Sequence, residues 1–363
     1  MLIPGIILFF CALLGFFFSK NRLVTFFLAF VVFSFFYFSE DYYDFHNYKN
    51  LFEVSIRGSE VSYETGYVWF NNLIWNLGYD YQGLRCAVGL IFVVILYLII
   101  NRLTNHPNMV WSAMIIFPAM FDGSLLRNSM SMAISMLGVV SLMNCRNLKQ
   151  YLIPLSLFIL AALFHSSYWV MLLFVPAWIF LNKRKSFKIF VICVFVVYIF
   201  SASLSDAIFN IFSMLSVREA AIEKYHTGMY ANITGAVYNV VKYLFIMSPV
   251  LLFRNWNNST VPNNSYARDF SSGLFKLNLI FSMILIPQAL AVNFSRLFRM
   301  IVIFNYAYLG NQLNYSRRNI SSRIYAFMYA LILLLLLVFF ESPTTLYDII
   351  YMHLSTNKFL LSF

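Results

Sequence analysis

The apolar run "LRCAVGLIFVVILYLII", residues 84–100, decides the fold class. Only Arg85 in this run is charged, and the run approaches the length of about 20 residues that crosses a bilayer as a helix. Similar runs recur at intervals of roughly 25–30 residues, the length of one span plus a short loop. The chain is 61% hydrophobic and 11% charged, whereas a soluble domain carries about 25% charged residues. The sequence therefore predicts a membrane protein.

The prediction is an all-α polytopic membrane protein that forms a single integral membrane domain over residues 1–363. It has about twelve transmembrane helices, within a range of about 10 to 13. Two larger segments, about 39–83 and 205–235, are predicted outside the membrane on the periplasmic side. Within the first, residues 66–80, "GYVWFNNLIWNLGYD", are aromatic and amphipathic, which favours an interfacial or re-entrant helix. The predicted spans are 2–18, 23–38, 84–100, 109–121, 124–144, 151–165, 167–181, 188–204, 236–253, 272–291, 297–313 and 324–340.

The charges predict the orientation. Alternate short loops hold 14 of the 25 Lys and Arg residues, which marks those loops as cytoplasmic. The opposite side holds 13 of the 14 Asp and Glu residues, so polar chemistry is expected at the outer face. The cations form no continuous basic face, and the net charge of +11 therefore does not indicate nucleic-acid binding.

Arg127 stands inside the stretch "FDGSLLRNSMSMAISM", residues 121–136, near the start of a predicted span. An ionisable residue inside a span tends to face a cavity or a substrate path. The alternative is a guanidinium that extends to the outer interface, with Asp122 as a possible partner. Ser131, Ser135 and Gly138 share its helix face, which fits either a cavity wall or close helix packing.

Three further basic side chains are expected at the same outer boundary. His165, in "ILAALFHSSYW", can move a proton near neutral pH or donate to a phosphate oxygen, or it can simply bond a carbonyl at a helix end. Arg296 and Arg299, in "NFSRLFRM", are three residues apart on one predicted helix face. Paired guanidiniums suit a pyrophosphate because each offers a planar fork, although they also suit helix anchoring.

Carboxylates and tyrosines concentrate in "SEDYYDFHNYKNLFE", residues 39–53, and "YETGY", residues 63–67. Glu64 or Asp41 can act as a base or bind sugar hydroxyls, and Tyr67 can stack on a sugar or belong to an aromatic belt. Asp41, Asp44 and His46 lack a further ligand cluster, so no metal is predicted. The four cysteines have no framework spacing, and no phosphate-binding glycine loop, GxSxG or HExxH is present.

These segments resemble the EpsG family of bacterial polysaccharide polymerases, part of the wider Wzy group. The resemblance lies in "DYYDFHNYKNLFE", the Glu-x-Gly-Tyr element of "YETGYVWFNNLIWNLG", the helix "LLRNSMSMAISMLGVVSL", "RNLKQY" and "LAALFHSSYWVMLL". The later "RLFRMIVIFNY" is similar to an Arg-containing segment of that family. One departure is Asn128, where the family commonly has glutamine after this arginine.

The resemblance implies an inner-membrane glycosyltransferase that joins glycan repeat units carried on undecaprenyl pyrophosphate, without a cofactor. Arg127, His165, Glu64 and Asp41 are the expected catalytic residues, with the base left open. The expected substrate contacts are Arg296, Arg299, Arg85, Tyr67 and Ser131. Expected partners are membrane lipid and, in the same pathway, a chain-length regulator and a flippase.

Two alternatives remain at this stage: a ligase that uses the same donor, and a non-enzymatic flippase for lipid-linked glycans. A flippase needs cations at mid-membrane positions, for which Lys242 and Lys276 are the candidates, both expected near cytoplasmic helix ends. Arg127, His165, Arg296 and Arg299 are all expected at the outer face, and this clustering favours the enzyme.

Overall fold

The computed structural model describes residues 2–40, 44–57, 64–182, 186–200, 233–253, 265–290, 292–313, 319–341 and 346–362. Within these ranges the regular elements are helices, and no strand occurs. This confirms the predicted all-α class.

The α-helices are α1 Leu2–Phe17, α2 Arg22–Tyr37, α3 Phe45–Ile56, α4 Thr65–Asn76, α5 Tyr81–Leu103, α6 Pro107–Ile116, α7 Ala119–Ser124, α8 Leu126–Met143, α9 Leu152–Phe164, α10 Phe174–Leu181, α11 Ser186–Ile199, α12 Ile233–Phe253, α13 Ser265–Phe281, α14 Leu285–Leu290, α15 Phe298–Gln312, α16 Asn319–Leu336 and α17 Met352–Thr356. The 3-10 helices are Leu148–Tyr151, Ser166–Leu173, Ser282–Ile284, Val292–Leu297 and Leu360–Ser362. Two π-helical segments occupy Leu337–Glu341 and Leu346–Tyr351.

Three helices in the described ranges are long and apolar enough to cross a membrane: Tyr81–Leu103, Leu126–Met143 and Ile320–Phe339. Other apolar helices have 10–17 residues. Most predicted spans coincide with one of these helices, but a total of about twelve crossings stays a prediction. The outer segment predicted at 205–235 lies almost entirely outside the described residues.

The predicted span 109–121 is wrong as one continuous helix. Helix α6 ends at Ile116, and α7 begins at Ala119. Between them Phe117 is extended, because the residue before a proline is disfavoured in the α conformation and Pro118 follows it. A second break at Leu125 separates α7 from α8. Arg127 is therefore the second residue of its helix and lies in its first turn, which agrees with a position near the start of a span.

The chain divides into two compact units. The first comprises Met1–Ile134, Leu163–His165 and Tyr306–Phe363, and the second comprises Ser135–Ala162 and Ser166–Asn305. This division concerns local packing, and the single integral membrane domain stays a prediction.

In the first unit, α2 packs against α5, α6 and α7. Gly89 permits the contact with α5, since a Cβ there would lie 2.7 Å from the Cβ of Phe36. On its other face α5 exposes Leu90, Val94 and Leu98 at helical spacing. An exposed apolar stripe of this kind fits contact with lipid.

The core of the second unit contains buried amides. Asn278 and Asn305 are bonded to each other, with Nδ2 of Asn278 donating to Oδ1 of Asn305 at 2.9 Å, and Asn305 also donates to the carbonyl of Ile246 at 2.7 Å. Nε2 of Gln288 donates to Oδ1 of Asn239 at 2.8 Å. Because a buried polar group is costly without a hydrogen-bond partner, these pairs fix how α12 to α15 pack.

Candidate active site

Glu64 immediately precedes α4, in the position that usually caps a helix. Its backbone is extended, and its carbonyl accepts hydrogen bonds from the amides of Tyr67 and Val68, both at 3.1 Å. Its side chain makes no capping hydrogen bond to α4, unlike the Ser, Thr, Asp or Asn side chains preferred there. The carboxylate therefore serves other partners.

Those partners are Arg127 and His165. Nη1 of Arg127 donates to Oε2 of Glu64 at 2.6 Å, a short charge-assisted bond. Nδ1 of His165 lies 3.3 Å from Oε1 of the same carboxylate. The side chains of Arg127, His165 and Glu64 are 20%, 18% and 13% exposed, respectively, so the group is sheltered yet reachable. The structure thus brings together three predicted catalytic residues from separate parts of the sequence, and Glu64, not Asp122, forms the described salt bridge.

Gly66 makes the approach of Glu64 to His165 possible. A Cβ at Gly66 would lie 2.7 Å from the carbonyl oxygen of Leu163 and 2.9 Å from its Cβ, closer than real Cβ atoms come. Phe70, one turn later on α4, meets Phe164 edge to face with centroids 6.1 Å apart. Helix α4 therefore packs directly on Leu163 and Phe164, which immediately precede His165. In the sequence, Gly66 stood out only as the glycine of the Glu-x-Gly-Tyr element, which does not indicate the close approach to Leu163.

Two tyrosine rings border Arg127. Its Cζ lies 5.6 Å from the ring centroid of Tyr48 on α3 and 6.0 Å from that of Tyr67 on α4. The two rings meet edge to face, with centroids 6.2 Å apart. Such cation–π contacts favour one position of the guanidinium. Tyr67 is fully buried, so its ring forms a wall rather than an open stacking surface for sugar. Tyr48 was missed in the sequence, where it was one of many tyrosines.

Residues 25–351, nearly the whole chain, match the EpsG family. The chain belongs to the EpsG family. Proteins of this type are Wzy-like polymerases, so this is a polysaccharide polymerase-like membrane protein. Comparison with curated proteins and comparison with solved structures each gave no match.

Arg85 has different surroundings from Arg127. It is fully buried, with Nη1 donating to Oε1 of Gln82 at 2.8 Å and Nη2 donating to the carbonyl of Ser39. The ring centroid of Phe45 lies 5.0 Å from its Cζ. Burial, together with the nearby charge of Arg85, lowers the pKa of His353 to about 3. These contacts give Arg85 a structural role at the junction of α2, α3 and α5. Its predicted contact with substrate stays a prediction.

The small-residue stripe along α8 is buried. Ser131 and Ser135 are both 0% exposed. A Cβ at Gly138 would lie 2.6 Å from a ring atom of Phe158, so this part of the helix face serves close packing. A substrate contact at Ser131 stays a prediction.

Arg296 and Arg299 lie in the second unit, on consecutive elements. The prediction of one shared helix is wrong, because a 3-10 helix ends at Leu297 and α15 begins at Phe298. Arg299 is 4% exposed, whereas Arg296 is partly exposed. Their predicted role in binding pyrophosphate stays a prediction.

The remaining expectations concern Asp41, a metal site, Lys276 and Lys242. Asp41 lies outside the described residues, so its catalytic role stays a prediction. No group of three potential His, Cys, Asp or Glu metal ligands occurs among the described residues. Lys276 donates to Oδ1 of Asn182 at 2.7 Å. Lys242 was expected near a helix end, but it lies at the centre of α12 and is 8% exposed. The prediction that the Lys242 side chain extends to the membrane interface from a helix end is therefore wrong.

Proposed function

We propose that this protein joins glycan repeat units carried on undecaprenyl pyrophosphate at the periplasmic face of the bacterial inner membrane. The observation that carries the proposal is the Glu64 carboxylate, which bridges Arg127 and His165. This transfer needs a cation that stabilises the leaving group and a base that accepts the proton of the acceptor hydroxyl. Arg127 and His165 can supply these two functions. Family membership supports the polymerase reaction, and the excess of acids in predicted outer segments supports the periplasmic face.

In the proposed reaction, a hydroxyl oxygen of the acceptor sugar attacks the anomeric carbon of the donor. The new glycosidic bond forms as the bond from that carbon to the pyrophosphate oxygen breaks, and undecaprenyl pyrophosphate leaves with the electron pair. Arg127 stabilises the negative charge that develops on the pyrophosphate. Its position in the first turn of α8 adds the positive end of a helix dipole, which also favours an anion there.

His165 is the base in this proposal. Both oxygens of Glu64 already have partners, Oε2 with Arg127 and Oε1 with His165, so Glu64 acts by positioning. A neutral imidazole that donates its Nδ1–H to Glu64 has its lone pair on Nε2, where it can accept the proton of the acceptor hydroxyl. This is the arrangement in which a carboxylate orients a histidine for general-base catalysis. Among the three candidate bases, the geometry therefore favours His165 over Glu64.

The test is deletion of the protein in its native host, followed by a gel of surface glycans. We expect single-repeat caps without ladders, because repeat units are still made and transferred but not joined. Wild-type protein should restore the ladder, and Arg127→Ala should not, although it should reach the membrane in normal amount. A ladder of wild-type length with Arg127→Ala would contradict the proposed role. Loss of all surface glycan on deletion would instead indicate a ligase or a flippase.

A further inference from the structure

A cavity of about 410 Å³ lies in the first unit, between the start of α2 and the end of α5. We call it the cationic cavity. Its lining combines cations, aromatic rings and amides: Lys20, Arg22, Phe26, Tyr97, Asn101 and Asn105. Nothing in the proposed reaction uses it.

The cationic cavity is separate from the Glu64 site. Arg85, near the start of α5, is bonded to Ser39 just beyond the end of α2, so the two helices run antiparallel. Asn101 is 16 residues further along α5, a distance of about 24 Å at 1.5 Å per residue. The cavity therefore lies at the opposite end of the α2–α5 pair from α3, near the other boundary of the membrane.

The chemistry of the cavity suits an anion. Lys20 and Arg22 are both exposed, and none of the lining residues is acidic. The side chain of Asn21 accepts from the amides of Leu23 and Val24, so it already caps the first turn of α2. The positive character therefore comes from the two cationic side chains. Nδ2 of Asn101 donates one N–H to the carbonyl of Tyr97 at 2.8 Å, and its second N–H, like the amide of Asn105, can donate to a phosphate oxygen.

An apolar wall adjoins this charged part. The ring of Phe26 on α2 stacks on that of Tyr97 on α5, with centroids 5.6 Å apart and an interplanar angle of 19°. Phe26 is 60% exposed, and Leu23 and Leu98 beside it are also exposed. On a helix that crosses a membrane, exposed apolar side chains of this kind face acyl chains. A free phosphate ion would not bind an apolar wall, whereas a phospholipid would contact the cations with its phosphate and the apolar wall with an acyl chain.

We propose that the cationic cavity binds the phosphate headgroup of an anionic phospholipid. The phosphate lies between Lys20 and Arg22, and an acyl chain follows the groove along Phe26 and Tyr97. Basic pockets between transmembrane helices are suited to such headgroups because charge attraction and apolar contact act together. Lipid bound here joins α2 to α5 at the end remote from the Glu64 site.

The test uses purified full-length protein in detergent, titrated with short-chain phosphatidylglycerol, and counts bound lipid by native mass spectrometry. We expect one lipid to be retained more strongly than the rest. The double variant Lys20→Gln/Arg22→Gln should weaken it by roughly 30-fold, which corresponds to the loss of two cations near a lipid phosphate. Phosphatidylcholine should bind more weakly to the wild type. Glycan transfer plays no part in this measurement.

The matched control is Arg102→Gln, which removes a cation in the last turn of α5 that does not line the cavity. It should leave the strongly bound lipid in place, and an equal loss would show surface attraction alone and overturn the site. Asn101→Ala changes no charge, so weaker binding in that variant supports the cavity even if the double variant folds poorly. Binding unchanged in both cavity variants would overturn the proposal. Competition by inorganic phosphate at concentrations comparable to the lipid would overturn the lipid assignment.

Discussion

Arg85 and Arg127 both lie near the start of an apolar helix, and each guanidinium faces an aromatic ring of α3, Phe45 for the first and Tyr48 for the second. Their hydrogen-bond partners separate them. Arg85 is fully buried and bonds neutral oxygens, whereas Arg127 is one-fifth exposed and bonds a carboxylate that also holds a histidine. A cation among neutral acceptors fixes the fold. A cation that shares a carboxylate with an imidazole, within reach of solvent, fits the proposed catalytic role.

The largest effect is expected from the same change at both positions. Arg127→Lys keeps a positive charge beside Glu64 but loses the planar fork, so we expect glycan transfer to fall by about 10²- to 10³-fold with little change in unfolding temperature. Arg85→Lys cannot reach Gln82 and Ser39 together, and should cost about 1–3 kcal/mol of stability for a buried acceptor left unsatisfied. Transfer assays and thermal unfolding in detergent measure the two effects. The comparison breaks if Arg127→Lys unfolds early or if Arg85→Lys alone abolishes transfer in fully folded protein.

Glu64→Gln tests whether the shared carboxylate positions its partners or removes a proton itself. Glutamine retains the shape but loses the charge, and its Nε2 can donate but not accept. Either the bond from Arg127 or the bond from His165 is therefore lost, at a cost of about 1.5–3 kcal/mol, and transfer falls by roughly 10- to 100-fold. Glu53→Gln, on α3 and not part of the site, should transfer at the wild-type rate. A loss of about 10⁴-fold would instead indicate that Glu64 is the base.

Gly66→Ala should have a smaller effect, because it moves the site without removing a functional group. The added methyl would meet Leu163 and push α4 away from His165, at a cost of about 1–3 kcal/mol of stability. Gly5→Ala is the control, since a Cβ there has no atom within 4 Å. Unfolding of the two variants in the same detergent gives the comparison. Equal stability of both would show that α4 yields at no cost.

The sequence alone predicted the helical class and three of the residues that the structure brings together. Long apolar runs predict helices because the bilayer offers no hydrogen-bond partners, so the backbone groups must bond to one another. Arg127, Glu64 and His165 were identified because a charged or titratable side chain near a membrane boundary usually has either a polar partner or a functional role. The sequence could not distinguish Arg85 from Arg127, since both arginines begin apolar runs. What separates them is a partner 63 residues from Arg127 in sequence, which local patterns do not record. Helix ends were missed where Pro118 broke a continuous apolar run.

The smallest effect is expected from the aromatic rings that α3 places over the two arginines. Tyr48→Leu and Phe45→Leu each remove one cation–π contact, worth about 0.5 kcal/mol when exposed and about 2 kcal/mol when desolvated, while both arginines keep their hydrogen-bond partners. Because Arg127 is proposed to stabilise the leaving group and Arg85 is held by neutral acceptors in the core, Tyr48→Leu should slow transfer a few-fold with normal stability. Phe45→Leu should lower the unfolding temperature and leave the transfer rate per folded molecule unchanged. If both variants change the same quantity, α3 acts as one rigid support for both arginines, and the functional difference between them does not extend to their aromatic neighbours.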